Sequence, residues 1–380
     1  MAATQILRSA QVALADEIVA GWIAIEDGHI VDVGRGAGPA SARDLGSDIL
    51  MPGLIELHTD NLETHMRPRP KVSWPESSAL VAFDAQIAAS GITTVFDCIR
   101  VGSDADYAPV ANEAETVVRT IEEARGAGIL RADHRIHLRC EVCAEDVLEQ
   151  TRRVVARHSA DLISLMDHTP GARQFISFDA WRTYYGGKSG LPQAELDRLI
   201  ARKQELFAKN YAHHRAALVA LARTHGTVLA SHDDATSEHV TESIGDGVAV
   251  AEFPTTVEAA RQSHDAGIRV MMGAPNVVRG GSHSGNVAAE ALARAGVLDV
   301  LSSDYVPASL LLGAFELARR IEDIPLADAL RTVTFNPARA AGLTDRGEIA
   351  VGKRADLVRV QMSGALPVAR EVFRGGVRVI

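Results

Sequence analysis

Cysteine is scarce in this 380-residue chain: Cys98, Cys140 and Cys143 are its three thiols, too few for a disulfide framework. Long apolar runs are missing as well. No stretch approaches the ~20 apolar residues that span a bilayer, and the opening MAATQILRSAQVALADE has no apolar signal core. The cytoplasm is therefore the expected compartment, with no membrane partner. Basic residues are outnumbered, Lys+Arg 39 against Asp+Glu 49, for a net charge of -10. That balance excludes broad nonspecific nucleic-acid binding and leaves room for a local basic pocket around a phosphorylated small molecule. Disorder and low-complexity readings fall too, since 47% hydrophobic and 23% charged residues are ordinary globular values.

What is there is a chain long enough for one large α/β barrel with an attachment. VALADEIVAGWIAIEDGHIVDVGRG alternates apolar and polar residues between Asp-Gly and Gly-rich turns, the pattern of an antiparallel sheet. The last 35 residues share that character. The simplest economy pairs the two ends into one small β-sandwich domain, residues 1–50 plus 345–380, with 51–344 inserted between them.

The insertion carries eight short apolar runs separated by helical periodicity: 54–60, 93–99, 135–142, 161–168, 227–234, 248–254, 268–276 and 299–305. Eight alternations of strand and helix predict a closed (β/α)8 barrel rather than a doubly wound sheet. About 60 residues separate the fourth run from the fifth. There, AELDRLIARKQELFAKNYAHHRAALVALARTHG has helical spacing, and PGARQFISFDAWRTYYGGKSG has the composition of a loop over a barrel mouth. Together they predict a helical insertion or lid at about 171–226.

Barrel active sites sit at the C-terminal ends of the strands, and six of the eight runs end in metal ligands or bases. His58 and Asp60 stand two apart on the first, so both point inward. Glu141 ends the third, His168 the fourth and His232 the fifth; Glu252 lies near the end of the sixth, and Asp304 ends the eighth. Any one of these would serve equally as a structural residue. Their convergence on one barrel end is what points to a bound divalent cation, zinc by preference, as one or two ions. Cys140 and Cys143 spell C-x-x-C, but in a strand an i, i+3 pair faces opposite sides, so the thiols do not chelate together.

Cations for an anionic substrate are also in view. Arg100 and Arg139 lie at strand ends, where a buried guanidinium needs an anionic partner. After the seventh run, Arg279, Gly280, Gly281, Ser282 and His283 precede an apparent helix and resemble a phosphate cradle; a plain flexible loop would have the same composition. Arg67, Arg69, Lys71, Arg173 and Lys188 complete the set of cations near strand ends.

PGLIELHTDNLE and GEIAVGKRADLV resemble the amidohydrolase superfamily, whose metal-dependent barrel interrupts a small β sandwich made from both chain ends. Within it, ELHTDNLETHMRPRP, AASGITTVFD, ASHDDATSEHV, AEFPTT, MGAPNVVRGGSHSGN and LSSDYVPASLL look like the phosphonate-metabolism branch that serves the carbon-phosphorus lyase pathway. The resemblance implies hydrolysis of a phosphorylated sugar phosphonate, a 5-triphosphate, to the 5-phosphate and pyrophosphate. It also implies that His58, Asp60, Glu141, His168 and His232 build or serve the metal centre, with Asp304 as the catalytic proton acceptor. The superfamily's usual pattern has His-x-His on the first strand and a carboxylated Lys as bridge. Here Asp60 replaces the second His, and Glu141 is the expected substitute for the Lys. Two other readings stay open: a carbon-nitrogen hydrolase, of N-acyl amino-sugar deacetylase or cyclic-imide type, and a noncatalytic barrel acting as an assembly subunit. A homo-oligomer is compatible with all three.

Overall fold

A computed structural model of the chain describes residues 4–103, 114–175, 177–282 and 285–380. Its strands, in chain order, are β1 (Gln5–Ala13), β2 (Ile18–Glu26), β3 (His29–Arg35), β4 (Arg43–Asp44), β5 (Ile49–Pro52), β6 (Leu54–Thr59), β7 (Ile92–Val101), β8 (Asp133–Glu141), β9 (Leu162–Met166), β10 (Val228–His232), β11 (Val250–Glu252), β12 (Arg269–Gly273), β13 (Val300–Ser302), β14 (Leu357–Ser363), β15 (Leu366–Arg374) and β16 (Val377–Arg378).

β6 to β13 form one sheet in sequential order. β6 with β7, β8 with β9, and each neighbouring pair from β9 to β12 make parallel ladders, and a parallel bridge from Thr59 to Asp304 joins the first strand's end to the residues after the last. This is the (β/α)8 barrel that the alternation predicts. Each observed strand falls on its predicted run. β6, β9 and β11 are buried at every residue, as parallel strands covered on both faces must be.

The chain ends form the second sheet, ordered β16-β15-β14-β5-β1-β2-β3 with β4 beside β1. It is mixed rather than purely antiparallel. β1 pairs antiparallel with β2 but parallel with β4 and β5, because the chain after β3 returns to run alongside β1. β14 then adds antiparallel to β5, which ties the C-terminus to the N-terminus. Leu7, Val12, Ile23, Ile25, Leu50, Leu357 and Phe373 make its apolar core.

Two compact units are distinguished: Met1–Asp97 with Glu123–Arg135 and Met272–Ile380, and Cys98–Glu122 with Ile136–Met271. In the second, Gln193–His225 is a single 33-residue helix ended by left-handed Gly226. The aromatic segment before it, expected as a loop, contains a helix at Phe178–Ser189. Trp181 stacks on Tyr185 at 4.4 Å and is buried with Phe175, Leu196 and Ile200. The burial of that aromatic face overrides the weak helix propensity of the Gly and aromatic residues.

Candidate metal and active site

In the second unit, three donors gather just past β9 and β10. One ligand atom each of His168, His232 and Asp233 lies within 4.8 Å of the other two. His168 follows β9 by two residues, His232 ends β10, and Asp233 takes the next position with φ 55, a conformation that costs a non-glycine residue free energy. Phe253 after β11 repeats that conformation. His232 Nε2 lies 3.5 Å from Asp233 Oδ2, and that oxygen is buried without a hydrogen-bond partner. An orphaned buried carboxylate oxygen beside two imidazoles needs a positive partner. Two nitrogens and an oxygen form the donor set of Zn²⁺, Mn²⁺ or Fe²⁺, so the residues present fit a divalent cation.

Both imidazoles are backed by carboxylates. His168 Nδ1 lies 2.6 Å from Glu141 Oε2, and its backbone amide donates to Glu141 Oε1 at 3.2 Å. Burial alone would raise the Glu141 carboxyl; the charge of His168, its hydrogen bonds and Lys203 outweigh burial and hold it at about 2. Burial would likewise lower His168, but Glu141 keeps it above the ordinary imidazole value. His232 Nδ1 lies 3.0 Å from Glu252 Oε2, and β10 and β11 place His232 and Glu252 directly opposite each other. A carboxylate behind each ring fixes its orientation and leaves Nε2 to face a ligand. Glu141, expected as a direct ligand, thus has both its oxygens engaged by His168. The expectation treated one strand at a time and could not see that the end of β8 faces the residues after β9.

In the first unit, the end of β6 is clamped to the end of β13. Glu56, fully buried, accepts from the His58 amide at 2.6 Å and the Ser303 amide at 2.5 Å; burial pushes its carboxyl up to about 7. The Ser302 hydroxyl and the Asp304 amide donate to the His58 carbonyl at 2.7 and 3.2 Å. The Thr59 hydroxyl donates to the Asp304 carbonyl at 2.8 Å. Asp304, with φ 54, is therefore held by its backbone from two sides, which sets where its carboxylate points. His58 is 1% exposed. Asp60 lies just past β6, at the start of the helix Asn61–Met66, so strand parity does not reach it.

The expected cations divide. Arg100 and Arg139 are half-buried near the ends of β7 and β8. Lys203, which sequence reasoning missed, is buried and shares a small cavity with Glu141, His168 and Arg202. Arg173 lines a cavity of about 600 Å³, but its two terminal nitrogens are bonded to Asp234, Tyr211 and Glu242, so it is a structural ion pair rather than a cation held for a substrate. Arg67 pairs with Glu63 at 3.1 Å, and the Lys188 side chain lies outside the described residues.

The phosphate cradle expected after the seventh run also needs correcting. Arg279 closes the helix Ala274–Arg279, and Gly280 is its left-handed cap. The Gly280 and Gly281 amides donate to the carbonyls of Val277 and Asn276 at 3.1 and 2.9 Å. They therefore satisfy a helix C-terminus, the end that repels anions, while the next helix begins only at Ala289. Ser282 follows in the connection, and His283 lies outside the described residues. Cys140 and Cys143 do not meet: the first contacts Thr151 and the second Asp167, each at 3.5 Å.

A (β/α)8 barrel whose strand ends carry carboxylate-backed histidines and an orphaned aspartate belongs to the metal-binding barrel class. Residues 77–371 match the Amidohydrolase family, and the chain belongs to that family. It is 45% identical over 376 residues to the α-D-ribose 1-methylphosphonate 5-triphosphate diphosphatase of Escherichia coli, a match covering 98% of this chain and 100% of the relative. An imidazolonepropionase of Deinococcus deserti is 25% identical over 389 residues, covering 93% of this chain and 91% of that one. Among solved structures, N-acetyl-D-glucosamine-6-phosphate deacetylase from Mycobacterium smegmatis shares the fold with a TM-score of 0.65 at 20% identity, covering 99% of this chain and 100% of that chain. Among the described residues no helix is long and apolar enough to cross a membrane.

Proposed function

We propose that this chain hydrolyses α-D-ribose 1-methylphosphonate 5-triphosphate to the 5-phosphate and pyrophosphate in phosphonate catabolism. The observation that carries this reading is the 45% identity, spread over 98% of the chain, to the diphosphatase of that substrate. His168, His232 and Asp233 would hold a divalent cation, zinc by preference. When bound, such an ion polarises a phosphoryl oxygen and acidifies water.

The remaining work falls to the chain's own side chains. A triphosphate carries about four negative charges, and desolvating it without cations is prohibitive. The protein is acidic, at -10, so the compensating charge has to be local. We assign that charge to Arg100, Arg139 and Lys203, which orient the phosphates and offset the charge that develops on the leaving pyrophosphate. A neutral amide would need none of them, which favours a phosphoric anhydride over a carbon-nitrogen bond. Asp304 accepts the proton of the attacking water, its carboxylate aimed by the left-handed backbone at that position. His58 and Asp60 keep the donor roles expected of them from the sequence. The test is product analysis: one equivalent of pyrophosphate per sugar 5-phosphate supports the reading, whereas orthophosphate release, or turnover of an N-acetyl amino sugar in preference to the triphosphate, contradicts it.

A further inference from the structure

Behind the His232 donor, the second unit holds a buried polar chain whose other members the catalytic assignments do not use. It runs from Cys98 on β7 through His137 on β8 and Ser164 on β9 to Glu252 on β11 and His232 on β10. Cys98 Sγ lies 3.3 Å from His137 Nδ1, His137 Nε2 2.5 Å from Ser164 Oγ, and the Ser164 hydroxyl donates to Glu252 Oε2 at 2.7 Å. The same Glu252 oxygen lies 3.0 Å from His232 Nδ1, while Glu252 Oε1 is 3.6 Å from His137 Nε2. His137, Ser164 and Glu252 are 0% exposed.

With Glu252 as an ionised carboxylate, hence acceptor only, and both rings neutral, each of these contacts has one direction. Ser164 spends its one hydroxyl proton on Glu252, so it must accept from His137 Nε2–H. His137 then presents a bare Nδ1 to the Cys98 thiol. At the other end His232 must donate Nδ1–H to Glu252, and in the neutral ring that a cation ligand requires the lone pair is then on Nε2. That is the nitrogen 3.5 Å from Asp233 Oδ2.

We infer that Glu252, held by Ser164, which His137 holds in turn, is a positioning residue: it locks His232 in the Nδ1–H tautomer, with Nε2 presented for a divalent cation, and is not itself a ligand. The inference rests on the metal reading above and concerns how the site is held ready. A carboxylate without Ser164 and His137 would be free to rotate toward the cation and compete as a ligand. The chain fixes it behind the ring.

The test begins with metal-free wild-type protein. Long-range ¹H–¹⁵N correlation spectra of the His232 ring should show the Nδ1–H tautomer; the Nε2–H tautomer or an imidazolium would overturn the inference. Zn²⁺ affinity, measured by chelator competition, should fall about 10- to 100-fold in Glu252→Gln, with a smaller loss in Ser164→Ala, which removes one hydroxyl and disturbs packing least. The Co²⁺-loaded Glu252→Gln variant should keep the wild-type visible spectrum, because no ligand has been lost. Unchanged Zn²⁺ affinity, or a Co²⁺ spectrum with altered coordination, would overturn the inference. A wild-type protein that takes up no divalent cation contradicts the metal reading itself, and the His232 tautomer then still decides the role of Glu252.

Discussion

Glu141 grips His168 twice, through the imidazole Nδ1 at 2.6 Å and the backbone amide at 3.2 Å. One carboxylate thus fixes both the ring and the backbone that carries it. Replacing Glu141 by Gln keeps the shape and removes the charge, so His168 loses its electrostatic hold while the fold survives. Zn²⁺ affinity in a chelator competition should fall about 10- to 100-fold. An affinity equal to wild type would show that Glu141 does nothing for His168 as a donor.

Removal of the cation tests the donor set directly. Dialysis against a chelator should abolish pyrophosphate release, and Zn²⁺ or Mn²⁺ should restore it. His168→Ala and His232→Ala, each lacking one imidazole donor, should lose metal content measured by mass spectrometry and at least about 100-fold in kcat/KM. A metal-free preparation with full activity would remove the basis of the donor assignment.

Stability should depend on pH through a buried triad far in sequence from these donors. His134 lies 2.8 Å from Asp97 and 3.2 Å from Asp84, all three fully buried. Burial alone would lower the imidazole, but the Asp97 charge and the hydrogen bonds to Asp84 and Asp97 raise it to about 9, against 6.5 for an ordinary imidazole. The group is thus more basic folded than unfolded. Its contribution is complete below about pH 6.5 and is lost as pH rises through about 9. Urea denaturation should show stability declining across that window, and His134→Ala should cost about 3 to 5 kcal/mol at neutral pH by stranding two buried carboxylates. A His134→Ala variant with wild-type stability would contradict the triad.

The barrel was legible because each parallel strand is a short apolar run whose polar residues wait until its end, as in LIELHT and VLASH. The same feature placed His58, His168, His232 and Asp304 at or just past strand ends. Their partners were not legible: Glu141 meets His168 and Glu252 meets Ser164 only through the lateral order of the strands, which no local pattern encodes. Asp233 stood beside His232 in plain view, but nothing in a sequence marks a left-handed aspartate. The misread glycine loop did carry a signal. Pro275 inside the first turn and Gly280 just past the end of Ala274–Arg279 follow the rule that proline opens helices and glycine closes them. Phe178, Trp181 and Tyr185 are spaced as one helix face, a period that the glycines of that segment obscured.

Lys203 reaches the site from the long helix Gln193–His225 rather than from a strand, and it is buried beside Glu141 and His168. If it serves the substrate's phosphates, Lys203→Ala should raise KM for the triphosphate about tenfold or more, the scale of one lost charge-assisted hydrogen bond. Metal content should stay at the wild-type level. Unchanged KM would confine Lys203 to holding Glu141.

If water attacks the α-phosphorus, the ester bond to the sugar stays intact and pyrophosphate leaves as a unit. Hydrolysis in ¹⁸O-labelled water, followed by mass spectrometry of both products, reads this choice of bond without intermediary. One ¹⁸O is expected in the sugar 5-phosphate and none in the pyrophosphate. Label confined to pyrophosphate, or stepwise appearance of labelled orthophosphate, would contradict the proposed reaction.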